Sequence, residues 1–322
     1  MILYLTALII GIAGLTWGAD KFVEGASEFA RHIGVSPIVI GLTIVSFGTS
    51  LPELLTTVTA TFLGHPDVAV GNVVGSNLAN IGLILGVASL FRPLTIHSSL
   101  LNREYLFLLL VSLVTWLMAR DFVFSRVEGI VLLVGMAFFI WWMRQFSKQG
   151  TPNELLKDVA IEKESIKDKN ISKPIFFLIM GLVSLTVGSR LLVWGGVGCA
   201  RKLGVNELVI GLTLIAFGTS LPELATSIAG AIKKEDDIAV GNIIGSNIFN
   251  LLAILGIPAT ITPIKVSPDV FYRDFPVMLL ATFVLWPICR SWKKGKLGRV
   301  NRIEGGALVL GYIIYIVYLF YK

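Results

Sequence analysis

The sequence predicts an all-α polytopic membrane protein of ten transmembrane helices, arranged as two inverted five-helix repeats. Three observations carry that reading. The chain has 322 residues, 55% of them hydrophobic and only 15% charged, with a mean hydropathy of +0.80; soluble domains carry about 25% charged residues. Many apolar runs reach the roughly 20 residues that a helix needs to cross a bilayer. The chain also contains a copy of part of itself. Gly41–Glu53 reads GLTIVSFGTSLPE and Gly211–Glu223, 170 residues later, reads GLTLIAFGTSLPE, with 12 of 20 positions identical between Gly41–Ala60 and Gly211–Gly230.

Hydropathy and turn signals place spans near 2–28, 36–62, 68–90, 102–119, 126–146, 174–199, 206–231, 238–261, 272–289 and 301–321. The first run begins without a basic leader region, so it is read as a span and not as a cleaved signal peptide. Ser36-Pro37 opens the second span, where Pro fits a first helical turn, and Asn206 reads as the N-cap of the seventh. The N-terminal repeat (1–146) and the C-terminal repeat (173–322) are joined by a charged stretch, 147–172, predicted to be a solvated cytoplasmic linker too short to form a domain. Cys199 and Cys289 stand alone in apolar spans, so no disulfide or thiolate-metal framework is expected. The net charge of +6 resides in loops, which points to a lipid bilayer as the partner and excludes nucleic acid.

Five spans per half is an odd number, so the second half enters the membrane from the opposite side. With the N-terminus outside, cytoplasmic segments carry 18 Lys and Arg and external segments 7. The positive-inside bias therefore predicts both termini outside. Inverted repeats are a common construction of secondary transporters, with the substrate site near the midplane.

A second matched stretch, Gly71–Asn80 (GNVVGSNLAN) against Gly241–Asn250 (GNIIGSNIFN), agrees at 6 of 10 positions at the same offset. In the first motif Pro52 and Pro222 cannot donate to the helix ladder, which frees the carbonyls of Gly48 and Gly218. Thr49, Ser50, Thr219 and Ser220 add hydroxyl oxygens, and Glu53 and Glu223 add carboxylates. Ser76 and Asn80 share a helix face, as do Ser246 and Asn250. Buried carboxylates in an apolar span mark ion or proton pathways. An oxygen-only donor set suits hard cations such as Na⁺ and Ca²⁺ over Zn²⁺ or Cu⁺. The competing reading is a Pro-kinked helix pair held by polar packing, against which the exact doubling argues.

These paired stretches resemble the alpha-repeats of the cation/calcium exchanger superfamily, specifically its Na⁺/Ca²⁺ exchanger branch with prokaryotic inner-membrane members, over essentially the whole chain. The resemblance implies a calcium/sodium antiporter of ten helices working by alternating access, with ion sites between helices 2, 3, 7 and 8. Carried over by motif, the ligands are Thr49, Ser50, Glu53, Ser76, Asn80, Thr219, Ser220, Glu223, Ser246 and Asn250, with the backbone carbonyls of Ser46 and Ala216. Some relatives carry Asp where this chain has Asn250, and Asn here argues against potassium co-transport. GNVVGSN and GNIIGSN contain no acid, unlike the Ca²⁺/H⁺ branch, which argues against proton coupling.

Glu53 and Glu223 together carry −2, which one Ca²⁺ neutralises, whereas three Na⁺ would leave +1. Such a 3:1 exchange is electrogenic. Glycines crowd the first and sixth spans, Gly18 and Gly188 among them; small residues permit close helix contact. The resemblance gives these helices the role of a sliding gate, and static packing is the alternative. Asp20, Glu24 and Glu28 lack repeat partners and read as interfacial charges, while Asp67 and Asp237 read as N-caps and His65 and His97 as loop residues. The expected function is Ca²⁺/Na⁺ antiport by a monomer in a prokaryotic cytoplasmic membrane, with no cofactor and no enzymatic activity. A Ca²⁺/H⁺ or other divalent-cation exchanger is the alternative in mechanism, and a passive cation channel the alternative in class.

Overall fold

Helix ends in this chain are set by backbone chemistry more than by where apolar runs stop. The computed structural model describes residues 1–96, 103–149, 170–204, 216–289 and 298–320. The first half comprises α1 (Ile2–Ile33), α2 (Pro37–Thr49), α3 (Leu51–Phe62), α4 (Pro66–Ala79), α5 (Gly86–Phe91), β1 (Leu94–Ile96), α6 (Glu104–Met118), β2 (Val123–Phe124) and α7 (Arg126–Gln149). The second comprises α8 (Ser172–Lys202), α9 (Ala216–Thr219), α10 (Leu221–Lys233), α11 (Asp236–Phe249), α12 (Gly256–Ile261), β3 (Ile264–Lys265), α13 (Phe275–Cys289), β4 (Gly298–Val300) and α14 (Arg302–Phe320). The stretch 205–215, with Asn206, lies outside the described residues, as do His97, nearly all of 147–172 and the side chains of Asp67 and Ala216.

α1 continues five residues beyond its predicted edge at 28 and stops at Gly34, whose φ of 70° is left-handed. There the Val35 amide donates to the Ala30 carbonyl (3.0 Å) and the Gly34 amide to that of Arg31 (3.3 Å), satisfying carbonyls that a helix end would otherwise leave open. Gly204, the repeat equivalent of Gly34, has φ 77° after α8, so α8 too outruns its predicted edge. The pair Gly64 (φ 76°) and Lys234 (φ 65°) closes α3 and α10 in the same way.

Proline in the first motif acts differently from a mid-helix kink. The helix ends at Thr49 and a new one begins at Leu51, bent by 46°, with Pro52 in its first turn, where a missing N–H costs nothing. α9 and α10 repeat this break at Ser220, with Pro222 in the first turn. The second motif ends each time in a π-helical turn, Asn80–Leu85 between α4 and α5 and Asn250–Ile254 between α11 and α12. Such turns concentrate at functional sites.

Seven described segments are long and apolar enough to cross a membrane, or eight if α2 and α3 form one span. The 15-residue α6 falls short of that length. The protein is a helical, polytopic membrane protein. Its outer faces carry exposed Ile9, Ile10, Val134, Phe138, Ile179 and Ile314, as expected where the surrounding solvent is lipid. At the opposite extreme α11 is buried on every side from Ile238 to Phe249.

α1 and α8 run antiparallel along a glycine seam. A Cβ on Gly11 would lie 2.9 Å from the Gly188 oxygen, one on Gly18 2.8 Å from the Leu185 nitrogen, and one on Gly25 2.7 Å from the Leu178 nitrogen. The reciprocal contacts exist too: a Cβ on Gly188 would lie 2.8 Å from the Leu15 nitrogen, and one on Gly195 2.7 Å from the Tyr4 oxygen. Ser184 Oγ donates to the Gly14 carbonyl at 2.8 Å across the middle of the seam. Two short antiparallel ladders, β1 with β4 and β2 with β3, tie loops of one half to loops of the other.

Candidate functional site

The breaks at Ser50 and Ser220 each place a carboxylate in the first turn of the following helix, where the amide dipoles favour negative charge. Glu53 and Glu223 are 1% and 2% exposed. Each is reached by the hydroxyl of the other half's break: Ser50 Oγ donates to Glu223 Oε1 (2.9 Å) and Ser220 Oγ to Glu53 Oε1 (3.1 Å). The single Ser50 hydrogen is thereby used, so the Ser246 hydroxyl, 3.1 Å away, donates to Ser50. Among the described residues no Lys or Arg forms an ion pair with either carboxylate. A buried carboxylate without a cation costs several kcal/mol.

The second motif supplies amides. Asn80 Nδ2 donates to Asn247 Oδ1 (3.0 Å), and Asn250 Nδ2 to Asn77 Oδ1 (2.9 Å), the same bond with the halves exchanged. Asn72 Nδ2 donates to the Glu53 carbonyl (3.2 Å) and Thr57 Oγ1 (2.9 Å); Asn242 repeats this on the Glu223 carbonyl (3.4 Å) and Ser227 Oγ (3.1 Å). Thr49 Oγ1 donates to Asn242 Oδ1 at 3.0 Å, fastening the first break to α11. Among the described residues, the buried oxygens that receive no hydrogen bond include one on each of these four groups, Glu53 Oε2, Glu223 Oε2, Asn80 Oδ1 and Asn250 Oδ1, besides Glu104 Oε2 and Thr226 Oγ1. An unpaired buried acceptor costs about 1–3 kcal/mol, and acceptors without donors are what a bare cation needs.

The bonds above join the sequence-selected residues in groups: Thr49, Ser50 and Ser246 with Glu223, Ser220 with Glu53, and Asn80 and Asn250 each with an asparagine of the other half. The turn that opens at Asn80 packs against α10 and the one that opens at Asn250 against α3, and Ser76 is buried at 6% exposure. Thr219 ends α9 beside Ser220 and takes part in an interaction of its own. The Ser46 carbonyl accepts from the Ser50 amide (3.0 Å), with Thr49 Oγ1 at 3.3 Å, while its hydroxyl turns back to the Leu42 carbonyl (2.8 Å). Ala216 opens α9. Pro52 and Pro222 fix the breaks, and Gly18 and Gly188 lie in the α1–α8 seam.

Asn72, Asn77, Asn242 and Asn247, with Thr57 and Ser227, are polar partners that sequence reasoning did not select. Their signal was present, because all four asparagines are identical between the copies at the offset of 170. The i, i+4 test pairs Ser76 with Asn80 and passes over Asn77, which stands three residues before Asn80.

Charges away from the centre resolve into ion pairs. Asp20 pairs with Lys233 (2.7 Å), Glu24 with Lys21 (2.7 Å), and Glu28 with Lys173 (3.9 Å). α11 begins at Asp236, so Asp237 belongs to its first turn and not to the cap. Asp236 accepts from Arg92 Nη1 (2.6 Å) and the Thr95 amide (3.0 Å). His65 occupies the position preceding α4. Among the described residues no three His, Cys, Asp or Glu side chains converge on a metal-sized site.

Comparisons with known proteins agree in kind. The family model for sodium/calcium exchanger protein matches residues 3–144 and 173–321. The chain is 42% identical to the putative antiporter CaxA of Alkalimonas amylolytica, covering 96% of each. It is 40% identical to the inner membrane protein YrbG of Escherichia coli, covering 100% of this chain and 98% of the relative. It is 32% identical to the sodium/calcium exchanger MaX1 of Methanosarcina acetivorans, over 98% and 97%. A solved structure of the sodium-calcium exchanger NCX_Mj, soaked with Na⁺ and Ca²⁺, superposes with a TM-score of 0.83 at 32% identity over 98% of both chains.

Proposed function

The chain belongs to the sodium/calcium exchanger family, and from that premise we propose that it exchanges Ca²⁺ for Na⁺ across a prokaryotic inner membrane by alternating access. It is a family of transporters and not of enzymes. The single observation that carries the proposal is the set of four donor-free buried oxygens on Glu53, Glu223, Asn80 and Asn250. Both carboxylates serve one cluster, and among the described residues no Lys or Arg pairs with them, so a transported cation supplies the missing charge. Thr49, Ser50, Ser76 and the Ser46 carbonyl complete the cluster from one half. Thr219, Ser220, Ser246 and the Ala216 carbonyl complete it from the other.

Na⁺ and Ca²⁺ compete for the same carboxylate oxygens, and the neutralised states cross the barrier. Exchange of three Na⁺ for one Ca²⁺ moves net charge and responds to membrane potential at about 2.3 kcal/mol per charge per 100 mV. The absence of an acid from GNVVGSN and GNIIGSN favours Na⁺ over H⁺ as the coupling ion. The chain spans the membrane ten times in two inverted halves, and the antiparallel packing of α1 against α8, its equivalent in the repeat, supports the inversion. With both termini outside, the loops joined by β1–β4 fall on the cytoplasmic side and those joined by β2–β3 outside. α1 and α8 slide as the gate. One chain supplies every group of the cluster, so the monomer is the transport unit.

The test is radioactive Ca²⁺ uptake into proteoliposomes loaded with Na⁺, with external Na⁺ varied and a protonophore present. The expected result is uptake that requires internal Na⁺ and survives the protonophore. Uptake that ignores Na⁺ and collapses with the proton gradient would move the protein to proton coupling. Downhill flux without any counter-ion would make it a channel.

A further inference from the structure

Asn80 and Asn250 are useful to a cation only if their amides face the right way. An Asn side chain has one oxygen and one NH₂ of nearly equal size. A flip of the amide would turn a donor towards the cluster and oppose cation binding. Something must select between the two orientations, and the structure contains one such selector per half. Asn247 Oδ1 accepts from Asn80 Nδ2, and in that arrangement Asn80 Oδ1 is left free. Asn77 Oδ1 stands in the same relation to Asn250. All four side chains are 1% exposed, so water does not compete for the orientation.

We propose that Asn77 and Asn247 are positioning residues, an amide clamp reaching across the two halves that sets the Asn250 and Asn80 oxygens towards the transported cation. The inference rests on the exchanger reading above and assigns a role to residues outside its ligand set. The clamp is anchored unequally. Asn77 donates its own Nδ2 to Met278 Sδ (3.5 Å), which fixes its oxygen towards Asn250. The position equivalent to Met278 is Leu108, which offers no acceptor, and Asn247 Nδ2 is buried without a partner.

The test is direct Ca²⁺ binding to the purified full-length protein, with displacement by Na⁺, for wild type and for Asn77→Leu, Asn247→Leu, Asn80→Ala, Asn250→Ala and the two double variants Asn77→Leu/Asn250→Ala and Asn247→Leu/Asn80→Ala. Leu preserves size and removes the acceptor. Each Leu variant is expected to bind Ca²⁺ about tenfold more weakly or worse, as is usual when a partner of a metal ligand is lost. Each should add nothing once its client Asn is already Ala. Wild-type affinity in the Leu variants, or losses that simply add in the doubles, would overturn the clamp and leave the exchanger reading standing. Asn77→Asp and Asn247→Asp keep the acceptor and guard against misfolding, so binding as weak as in the Leu variants would also overturn it. A wild-type protein that binds neither ion would bring down the exchanger reading and the clamp together.

Discussion

The centre of the molecule and its rim treat the internal repeat in opposite ways. At the centre the main bonds recur with the halves exchanged: Ser50 to Glu223 is answered by Ser220 to Glu53, and Asn80 to Asn247 by Asn250 to Asn77. At the rim of α1 they are not. Asp20 pairs with Lys233, and Glu235 takes both Arg31 (3.0 Å) and Ser27 (2.6 Å). The repeat equivalents of Asp20, Glu24, Ser27 and Arg31 are Arg190, Trp194, Val197 and Arg201, and those of Lys233 and Glu235 are Leu63 and His65, with no carboxylate among them. On the proposed reading, symmetry is kept where two half-sites share one cation cluster and released where equivalent helix ends meet different aqueous phases.

The comparison is most sharply tested at the carboxylates. Glu53→Gln and Glu223→Gln should each lower Na⁺-driven Ca²⁺ uptake about a hundredfold or more, because loss of a buried charged partner costs about 3–5 kcal/mol and tenfold corresponds to about 1.4 kcal/mol. Unequal losses in the two variants would break the central equivalence. Normal uptake in either would sink the proposed site.

The seam comes next. In Gly18→Leu or Gly188→Leu the new side chain meets backbone within 3 Å, an overpacking worth about 1–3 kcal/mol. Ca²⁺ turnover is expected to fall about tenfold while the Ca²⁺ Kd stays within about twofold. Unchanged turnover would reduce the seam to static packing.

The smallest effect belongs to the rim. Glu235→Gln should lower thermal stability by about 1 kcal/mol or less, as for other partly exposed pairs, and the difference from wild type should shrink in high salt. His65→Gln, at the equivalent position, should leave stability unchanged. A matching loss there would restore to the rim the symmetry that the ion pairs deny it.

Much of this was legible in the residues because a repeat read against itself filters noise. Glu53, Ser50, Asn80 and their copies stood out as polar groups repeated inside apolar spans. Asn77 and Asn247 did not, since a spacing of four picks Ser76 with Asn80 and Ser246 with Asn250 and passes over the residue between them, while the bonds that give Asn77 and Asn247 a role run to the other half. Pro52 predicts a freed carbonyl within one span, 36–62, because sequence locates a missing donor without deciding whether the helix bends or restarts. The restart at Leu51 lies in the backbone of Ser50, whose ψ of 6° leaves the helix before Pro52 enters the next first turn. The long reach of α1 was hidden because hydropathy falls before the helix does; Gly34 and the Asp20–Lys233 and Arg31–Glu235 pairs carry it onward.

By itself the sequence determined the membrane class, the doubling and the oxygen-only chemistry, because composition and periodicity are properties of single segments. Only the tertiary structure decided which oxygens remain without donors and which amides hold them. That choice is made by hydrogen bonds between residues about 170 positions apart, and no local pattern encodes a partner on another helix.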